Sequence, residues 1–294
     1  MTERIHKPEG AATLGTYEEL TQFVSAFANA HLNLLIVIGR AGIAKSQTVR
    51  QSVGKKVCWV EGNATAFGIY TKLWQHRDQL VVIDDVDSLY ADRAAVRLLK
   101  CICQTDPKKN VAWNSGAVGK SSDDIPRSFE TTSRTCIIAN DWKTLDANTA
   151  AVQDRGHLVF FEPPAAEVHR QVAEWFWDQD VFDWFGEHLH IIPNLSMRHY
   201  VRAYELKQSG IDWVKVLLAD AVSEKALLLA KLRADTSFTE ERQRVEAFKQ
   251  LGGGGKTTYY KHLKRLREQG GEPLSITLKN PRVNVPSSAN LRAA

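Results

Sequence analysis

Cysteine is scarce in this chain, and the four cysteines are too scattered to build a metal site or a disulfide framework. Cys58, Cys101, Cys103 and Cys136 include no Cys-x-x-Cys pair, and the histidines do not cluster beside them. Zinc sites need closely spaced ligands, and disulfide scaffolds are typical of small secreted domains. We therefore expect these cysteines to act as small, buried apolar side chains.

Long apolar runs are also missing. No stretch of 18 uncharged apolar residues occurs, and a membrane-spanning helix needs about that length. The amino-terminal sequence MTERIHKPEG is polar and lacks the apolar centre of a secretory signal. We expect a cytoplasmic protein with no membrane partner. Its 44% hydrophobic and 24% charged residues fit a soluble globular protein with a buried core.

Most of the chain has no strong excess of charge of either sign, but its carboxyl-terminal end does. Residues 241–294 hold 11 Lys and Arg against 4 Asp and Glu, a net charge of +7. Residues 1–240 hold 27 against 30, a net charge of −3. A mildly acidic body joined to a basic segment favours an anionic partner for that segment.

Short apolar segments alternate with helical patterns in the first half of the chain. Buried strands are predicted at residues 33–38, 57–60, 80–83, 134–139 and 157–161. Helices are predicted at residues 17–31, 64–76 and 91–104. This alternation predicts an α/β fold in which a parallel sheet carries helices on both faces.

The strand pattern ends near Pro164, which predicts a change of architecture. Residues 1–164 are expected to form the α/β core, and residues 165–235 a helical lid subdomain. Residues 236–270 are expected to form a small basic helical module, and residues 271–294 a polar tail.

A loop that contains two glycines follows the first predicted strand directly. Residues 39–46 read GRAGIAKS, close to the pattern G-x-x-x-x-G-K-[ST] in which backbone amides and a helix N-terminus cradle phosphate oxygens. Lys45 would neutralise the β- and γ-phosphates of ATP, and the Ser46 hydroxyl would bind Mg²⁺. The predicted nucleotide-binding segment comprises Gly39, Arg40, Ala41, Gly42, Ile43, Ala44, Lys45, Ser46 and Gln47.

Ala44 stands where this pattern has its second glycine. Alanine costs little there if its φ angle is negative, although its methyl group would lie near the nucleotide. A similar segment at residues 252–257, GGGGKT, is rejected as a phosphate loop. Gln250 occupies its first glycine position, and the residues before it are predicted to be helical rather than extended.

The third predicted strand ends in two carboxylates, Asp84 and Asp85. In phosphate-loop enzymes the first such acid holds magnesium, usually through water. The second can orient and deprotonate the attacking water, which would make Asp85 the general base. Asp87 is an open alternative for that role, although it could instead cap the next segment.

Together with three later segments, these motifs make residues 15–210, about two thirds of the chain, similar to the AAA+ ATPases. Residues 39–46 and 80–85 resemble the family's Walker A and Walker B motifs. The later segments resemble, in order, the sensor 1 strand, the arginine-finger region and sensor 2: residues 136–140 (CIIAN), 153–155 (QDR) and 195–198 (LSMR).

The resemblance implies a role for each polar residue in these segments. Asn140 would help to position the attacking water, and Arg198 would contact the γ-phosphate from the lid. Arg155 would reach the γ-phosphate of a neighbouring subunit, which implies a homo-oligomer, either a ring or a helical filament; Arg134 is a rival for this role. Each also has a plainer interpretation, as a strand-end cap, a solvated helix residue or a surface ion-pair partner.

Residues 240–251 and 257–267 fit two amphipathic helices on either side of the glycine run. Their apolar positions would form a small core of Val245, Phe248, Leu251, Tyr259 or Tyr260, Leu263 and Leu266. The exposed face of the second helix would carry Lys256, Lys261, Lys264, Arg265 and Arg267. The pattern resembles a DNA-binding helix-turn-helix, with residues 213–234 as a candidate third helix. A basic helix packed on the ATPase body or between subunits is the alternative.

These features predict an enzyme that uses ATP and Mg²⁺ and acts on DNA or on a nucleoprotein complex. Within the AAA+ family the chain is most similar to helicase loaders, replication initiators and transposition ATPases, which implies a helicase, a transposase or another protein as partner. A nucleotide-gated binding protein with little turnover is one alternative, favoured by Ala44 and Asp85. A protein-remodelling chaperone is another, for which residues 114–120 could face a pore.

Overall fold

The computed structural model describes residues 7, 10–62, 64–86, 92–113, 125–141, 155–192, 194–221 and 223–268. The chain divides into two compact units, Met1–Gln171 and Val172–Ala294. The finer division into four parts remains a prediction.

The first unit is built on a parallel sheet of six strands: β1 (Ala12–Leu14), β2 (Leu34–Ile38), β3 (Val57–Glu61), β4 (Leu80–Asp84), β7 (Thr135–Ala139) and β8 (His157–Phe161). Their order across the sheet is β1-β8-β2-β7-β4-β3. Every residue of β2 and β7 is buried, as expected for apolar central strands of a parallel sheet covered by helices. The predicted α/β fold class is confirmed.

In the residues that the structure describes, five helices accompany this sheet: α1 (Tyr17–Ala28), α2 (Lys45–Val53), α3 (Ala66–Gln75), α4 (Arg93–Ile102) and α5 (Ala165–Val172). Short polar side chains begin three of them. Thr16 forms a capping box with Glu19 at α1, Thr65 caps α3, and Asp92 caps α4. Such side chains satisfy amide groups that have no partner within the helix.

A short antiparallel hairpin, β5 (Lys109–Ala112) with β6 (Ser128–Thr131), lies beside the sheet. The sequence patterns predicted neither this hairpin nor β1, because strands of three or four residues are too short to show a period. The hairpin is tied to the sheet by Lys109, which is 1% exposed. Its ammonium donates hydrogen bonds to Asn33 Oδ1 at 2.8 Å and to the Ser133 carbonyl at 2.5 Å.

The strand register brings three chain segments together at one edge of the sheet. Ile38, the last residue of β2, pairs with Ala139, the last residue of β7, and Asp84 at the end of β4 pairs with Ile138. The phosphate loop, the two acids and Asn140 each lie at one of these strand ends. Parallel strands place such residues at a common carboxyl edge, where α/β proteins bind ligands.

The second unit is helical in the part that the structure describes. It contains α6 (Gln179–His188), a 3₁₀ turn (Leu189–Ile191), α7 (Met197–Gln208), α8 (Trp213–Ala221), α9 (Glu224–Ala234), α10 (Glu241–Gln250) and α11 (Lys256–Glu268). Within the described ranges, no helix combines the length and apolar character that crossing a membrane requires.

The last three of these helices share a small apolar core. Leu229 and Leu232 of α9 pack with Phe248 of α10 and with Tyr259, Leu263 and Leu266 of α11. A polar bridge joins the same helices, because Glu241 accepts hydrogen bonds from the Tyr259 hydroxyl at 2.9 Å and from Arg233 at 3.1 Å. The third helix is therefore present as α9, separate from α8.

The predicted core of this module needs two corrections. Leu251 is 63% exposed, because it follows the end of α10 and begins the glycine turn rather than facing the core. Of the two tyrosines, Tyr259 is buried and Tyr260 is exposed. The turn itself requires glycine, because a Cβ atom on Gly253 would lie 2.6 Å from the Phe248 ring, and Gly252 has a φ angle of +80°.

Candidate nucleotide site

Gly39, the first glycine of the phosphate loop, is required by close packing of two backbone segments. A Cβ atom at this position would lie 2.5 Å from the carbonyl oxygen of Phe161 at the end of β8. The Gly39 amide donates a hydrogen bond to the Ala139 carbonyl at 3.2 Å. The loop therefore leaves the sheet against two neighbouring strand ends, which fixes where it begins.

Ala44 adopts the left-handed conformation that normally belongs to glycine. Its φ and ψ angles are 57° and 25°, and it occupies the N-cap position of α2. The condition under which alanine would cost little, a negative φ, is therefore not met. A left-handed conformation costs an L-residue about 1–2 kcal/mol. The loop keeps this shape without the glycine that would adopt it readily.

The ammonium group of Lys45 lies inside the loop. Lys45 is the first residue of α2 and only 6% exposed. Its Nζ atom donates hydrogen bonds to the carbonyls of Gly39 at 2.6 Å and Arg40 at 3.0 Å, and to Oδ1 of Asn140 at 2.9 Å. A positive charge thus lies between the loop and the end of β7, at the amino-terminal end of α2, where both the charge and the helix favour anions.

Two acids, one hydroxyl and one amide continue the cluster. Ser46 Oγ donates a hydrogen bond to Asp84 Oδ1 at 2.8 Å, and Asn140 Nδ2 donates one to Asp85 Oδ2 at 2.7 Å. Burial raises the pKa of Asp84, and the neighbouring Asp85 raises it further, while the Ser46 hydrogen bond opposes them. Asn140 therefore joins Lys45 to Asp85, and Ser46 joins α2 to β4.

These residues fit a magnesium nucleotide. Mg²⁺ prefers oxygen ligands and commonly binds through one or two carboxylates, waters and the phosphates of its substrate. The Ser46 hydroxyl and the Asp84 carboxylate supply such oxygens side by side, next to a loop with positive φ angles at Gly42 and Ala44. When bound, the metal would neutralise charge on the β- and γ-phosphates. Gly39, Lys45 and the amino-terminal end of α2 would hold the phosphates.

Arg155 lies at the opposite edge of the sheet from this cluster. It lies two residues before β8 begins, whereas the phosphate loop follows the carboxyl end of the adjacent strand β2. A strand of five residues separates the two edges by about 16 Å. The Arg155 Nη1 atom donates a hydrogen bond to the Lys100 carbonyl at 3.1 Å. The rival Arg134 precedes β7 at the same edge.

Arg155 is thus not brought to the Lys45 cluster of its own chain, and a role in a neighbouring subunit stays a prediction. We expect Arg155→Ala to keep ATP binding but to lose turnover. Mixing it with Lys45→Ala subunits should restore part of the activity, because the mixture pairs an intact site with an intact arginine across an interface. The measurement is ATPase rate against mixing ratio, with Arg134→Ala tested in the same way. Absence of rescue in confirmed mixed assemblies would count against a finger acting between subunits.

The remaining predicted residues fall in three groups. Arg198 is exposed in the first turn of α7, and its amide donates to the N-cap Ser196 at 3.2 Å; it belongs to the second unit. Asp87, residues 114–120 and residues 153–154 lie outside the described residues. The basic residues of α11 that can be placed are exposed, as expected: Lys256, Lys261, Lys264 and Arg267. The Arg265 side chain is not among those described.

One contact of the loop was missed from the sequence. The Tyr17 hydroxyl donates a hydrogen bond to the carbonyl of Ile43 at 3.1 Å. Nothing in the local sequence indicates this, because an aromatic residue at the start of an amphipathic helix has the pattern of an ordinary core residue.

Comparison with known proteins adds a distant relative. No protein-family model matches the chain. The chain is similar to an uncharacterized 36.7 kDa protein of Enterobacteria phage T4, from the nrdC-mobD intergenic region, with 25% identity over 133 residues. The match covers 42% of this chain and 41% of the phage protein, so the chain spans less than half the length of that curated relative.

Two solved structures have a similar arrangement of elements. Cdc6p from Pyrobaculum aerophilum is 13% identical with a TM-score of 0.47, over 92% of this chain and 89% of that one. The Orc1 protein of Aeropyrum pernix, solved in complex with DNA, is 14% identical with a TM-score of 0.40, over 87% and 81%. Likeness at this level concerns the arrangement of the chain and says nothing about activity.

The fold class follows from the chain's own geometry. A phosphate loop after β2, two acids at the end of β4 and an asparagine after β7 meet at one edge of a parallel sheet, and a helical unit follows. The fold is therefore similar to that of the AAA+ P-loop ATPases, as the sequence predicted.

Proposed function

We propose that this protein binds and hydrolyses ATP with Mg²⁺. The observation that carries the proposal is a pair of neighbouring polar contact sets at one edge of the sheet: Lys45 bonds to Asn140 and Asn140 to Asp85, and Ser46 bonds to Asp84. Phosphoryl transfer needs positioning and charge neutralisation more than covalent chemistry. A set of side chains that already hold one another at hydrogen-bond distance supplies the positioning.

Each member of the set has a distinct part in the proposed reaction. Lys45 balances the charge of the phosphates, and Ser46 and Asp84 hold the magnesium side. Asp85 accepts the proton of the attacking water. Asn140 fixes the orientation of the Asp85 carboxylate by donating to Oδ2 from its amide, and the other oxygen, Oδ1, would accept the proton of that water. Attack by water on the γ-phosphate gives ADP and phosphate.

We propose further that ATP turnover drives work on DNA or on a nucleoprotein complex, by a ring or filament of identical subunits. Four exposed basic residues lie on α11, which packs with α9 and α10 as a three-helix module. Basic side chains on a helix that follows a tight turn suit phosphate contacts to duplex DNA. A helicase or transposase would be a suitable protein partner for an ATPase of this kind.

A nucleotide-gated switch with little turnover is the second candidate, and one observation favours it. Ala44 and Asp85 both have positive φ angles, 57° and 52°. Strained non-glycine residues of this kind cluster at active sites, ligand clamps and switch regions. Steady-state ATPase assays with no DNA, single-stranded DNA and duplex DNA separate the candidates. Turnover stimulated by DNA supports the motor, and tight binding with negligible turnover supports the switch. Stimulation by a protein partner alone would favour remodelling.

The proposed DNA contact predicts a strong dependence of affinity on salt. Each phosphate contact with duplex DNA contributes a slope of about −0.9 to the plot of log affinity against log salt. Changing Lys261, Lys264 and Arg267 together to Ala should therefore flatten the slope by about 2.7 and leave ATP affinity unchanged. Fluorescence anisotropy of a labelled duplex across a salt series gives the slope for the wild type and for the triple variant.

A matched control separates the surface of α11 from net charge. Lys225 and Lys231 of α9 and Lys249 of α10 are also exposed, so changing all three to Ala removes the same charge from the same module. The control should keep most of the slope. Equal flattening in both triple variants would mean that net charge alone drives binding. An unchanged slope in the α11 variant would place the DNA site elsewhere.

A further inference from the structure

We propose that Tyr17 is a positioning residue of the nucleotide site, whose hydroxyl holds the phosphate loop in the left-handed conformation that Ala44 disfavours. The inference rests on the proposed ATP binding and deepens it. Residue 44 is not the glycine that would adopt this conformation without help. Tyr17, on α1, provides the restraint that the loop sequence lacks.

Tyr17 is held firmly in place for this purpose. It is 5% exposed, and the edge of its ring meets Phe161 with 5.0 Å between ring centroids. Its amide donates a hydrogen bond to Glu167 Oε1 at 3.0 Å, and Glu167 in turn pairs with Arg170. Burial raises the pKa of the Tyr17 hydroxyl above its ordinary value, so the hydroxyl keeps its proton and stays a donor.

The hydrogen bond acts on the peptide plane that precedes Ala44. The carbonyl of Ile43 and the amide of Ala44 belong to one planar group, so fixing the carbonyl direction restricts rotation about the N–Cα bond of Ala44. The Tyr17 hydroxyl fixes that carbonyl at 3.1 Å. The Ile43 side chain is fully buried, which anchors the same peptide plane from its other side.

The peptide plane that follows Ala44 is fixed as well. Its carbonyl accepts hydrogen bonds from the Thr48 amide at 2.9 Å and from Thr48 Oγ1 at 3.0 Å. Both rotations at Ala44 are therefore restrained from outside the residue. A strained backbone conformation persists only when its surroundings determine it in this way.

The test is a double-mutant cycle between Tyr17→Phe and Ala44→Gly, read as affinity for a fluorescent ATP analogue with Mg²⁺. Phenylalanine keeps the ring contact with Phe161 and removes only the hydroxyl. Loss of one hydrogen bond is expected to weaken binding about 2- to 10-fold when residue 44 is alanine. With glycine at residue 44 the same change should weaken binding less than about 2-fold, because glycine adopts the conformation unaided.

Tyr70→Phe is the matched control. Tyr70 is also a buried tyrosine, and its hydroxyl donates to a carbonyl, that of Pro126, at 2.8 Å. Tyr70→Phe should leave ATP affinity unchanged whether residue 44 is alanine or glycine. If Tyr17→Phe does not fold, Thr48→Val removes the hydroxyl bond on the other side of Ala44, and the same rescue by Ala44→Gly is expected.

Two results would overturn the inference. One is an unchanged affinity in Tyr17→Phe, and the other is an equal loss of affinity with alanine and with glycine at residue 44. If the wild type binds the analogue and Lys45→Ala does not, either result refutes the role of Tyr17 and leaves the nucleotide site in place. If Lys45→Ala binds the analogue as the wild type does, the nucleotide site itself is misplaced.

Discussion

Replacing Lys45 with alanine is expected to remove ATP binding, with a loss in affinity of about 100-fold or more. Hydrogen bonds to charged groups contribute about 1.5–3 kcal/mol each. The ammonium can bind two phosphate groups at once, so its removal should cost about 3 kcal/mol or more, which corresponds to about 100-fold or more in affinity. The side chain is 6% exposed, so solvent screens its charge little. The measurement is titration with a fluorescent ATP analogue in the presence of Mg²⁺.

Two controls make this result specific. Lys56→Ala removes the same charge from an exposed position in the same unit, and it should bind nucleotide as the wild type does. A thermal unfolding curve must also be taken, because Lys45 Nζ satisfies two loop carbonyls and Asn140 even without nucleotide. A folded Lys45→Ala protein with wild-type affinity would show that residues 39–47 are not the nucleotide site.

The strands that build this site could be predicted because they are buried on both faces. Residues 34–38, 80–83 and 136–139 are continuous apolar segments, and burial in a parallel sheet leaves that signature in sequence. The residues directly after such strands are then known to share one edge. The close approach of Lys45, Asp84, Asp85 and Asn140 follows from strand order and direction.

The conformation of Ala44 could not be predicted in the same way. Alanine carries no sequence signal for the sign of its φ angle, and the restraints that hold it come from Tyr17 and from Thr48. Tyr17 is 27 residues before Ala44, and only the folded sheet brings α1 to the loop. The exposed Leu251 was missed for a similar reason, because a periodic pattern does not show where a helix ends.

Asp85→Asn should leave ATP binding intact and lower turnover by about 10²- to 10⁴-fold, the usual worth of one general base. Asparagine is the substitution that changes least besides the charge. Asp85 has a φ angle of +52°, and Asp and Asn are the non-glycine residues that best tolerate this region. The amide oxygen of asparagine can still accept the hydrogen bond that Asn140 Nδ2 gives to Asp85 at 2.7 Å. The expected defect is therefore loss of basicity.

Single-turnover hydrolysis, beside the nucleotide titration, separates the chemical step from binding and product release. Asp87→Asn is the comparison, because Asp87 is the other candidate base from the sequence. If Asp85→Asn turns over at nearly the wild-type rate while Asp87→Asn does not, the base is Asp87. If both variants turn over at the wild-type rate, neither Asp85 nor Asp87 is the base. A wild-type protein that itself binds ATP tightly with little turnover would be the nucleotide-gated switch, in which Asp85 holds Asn140 against Lys45 rather than activating water.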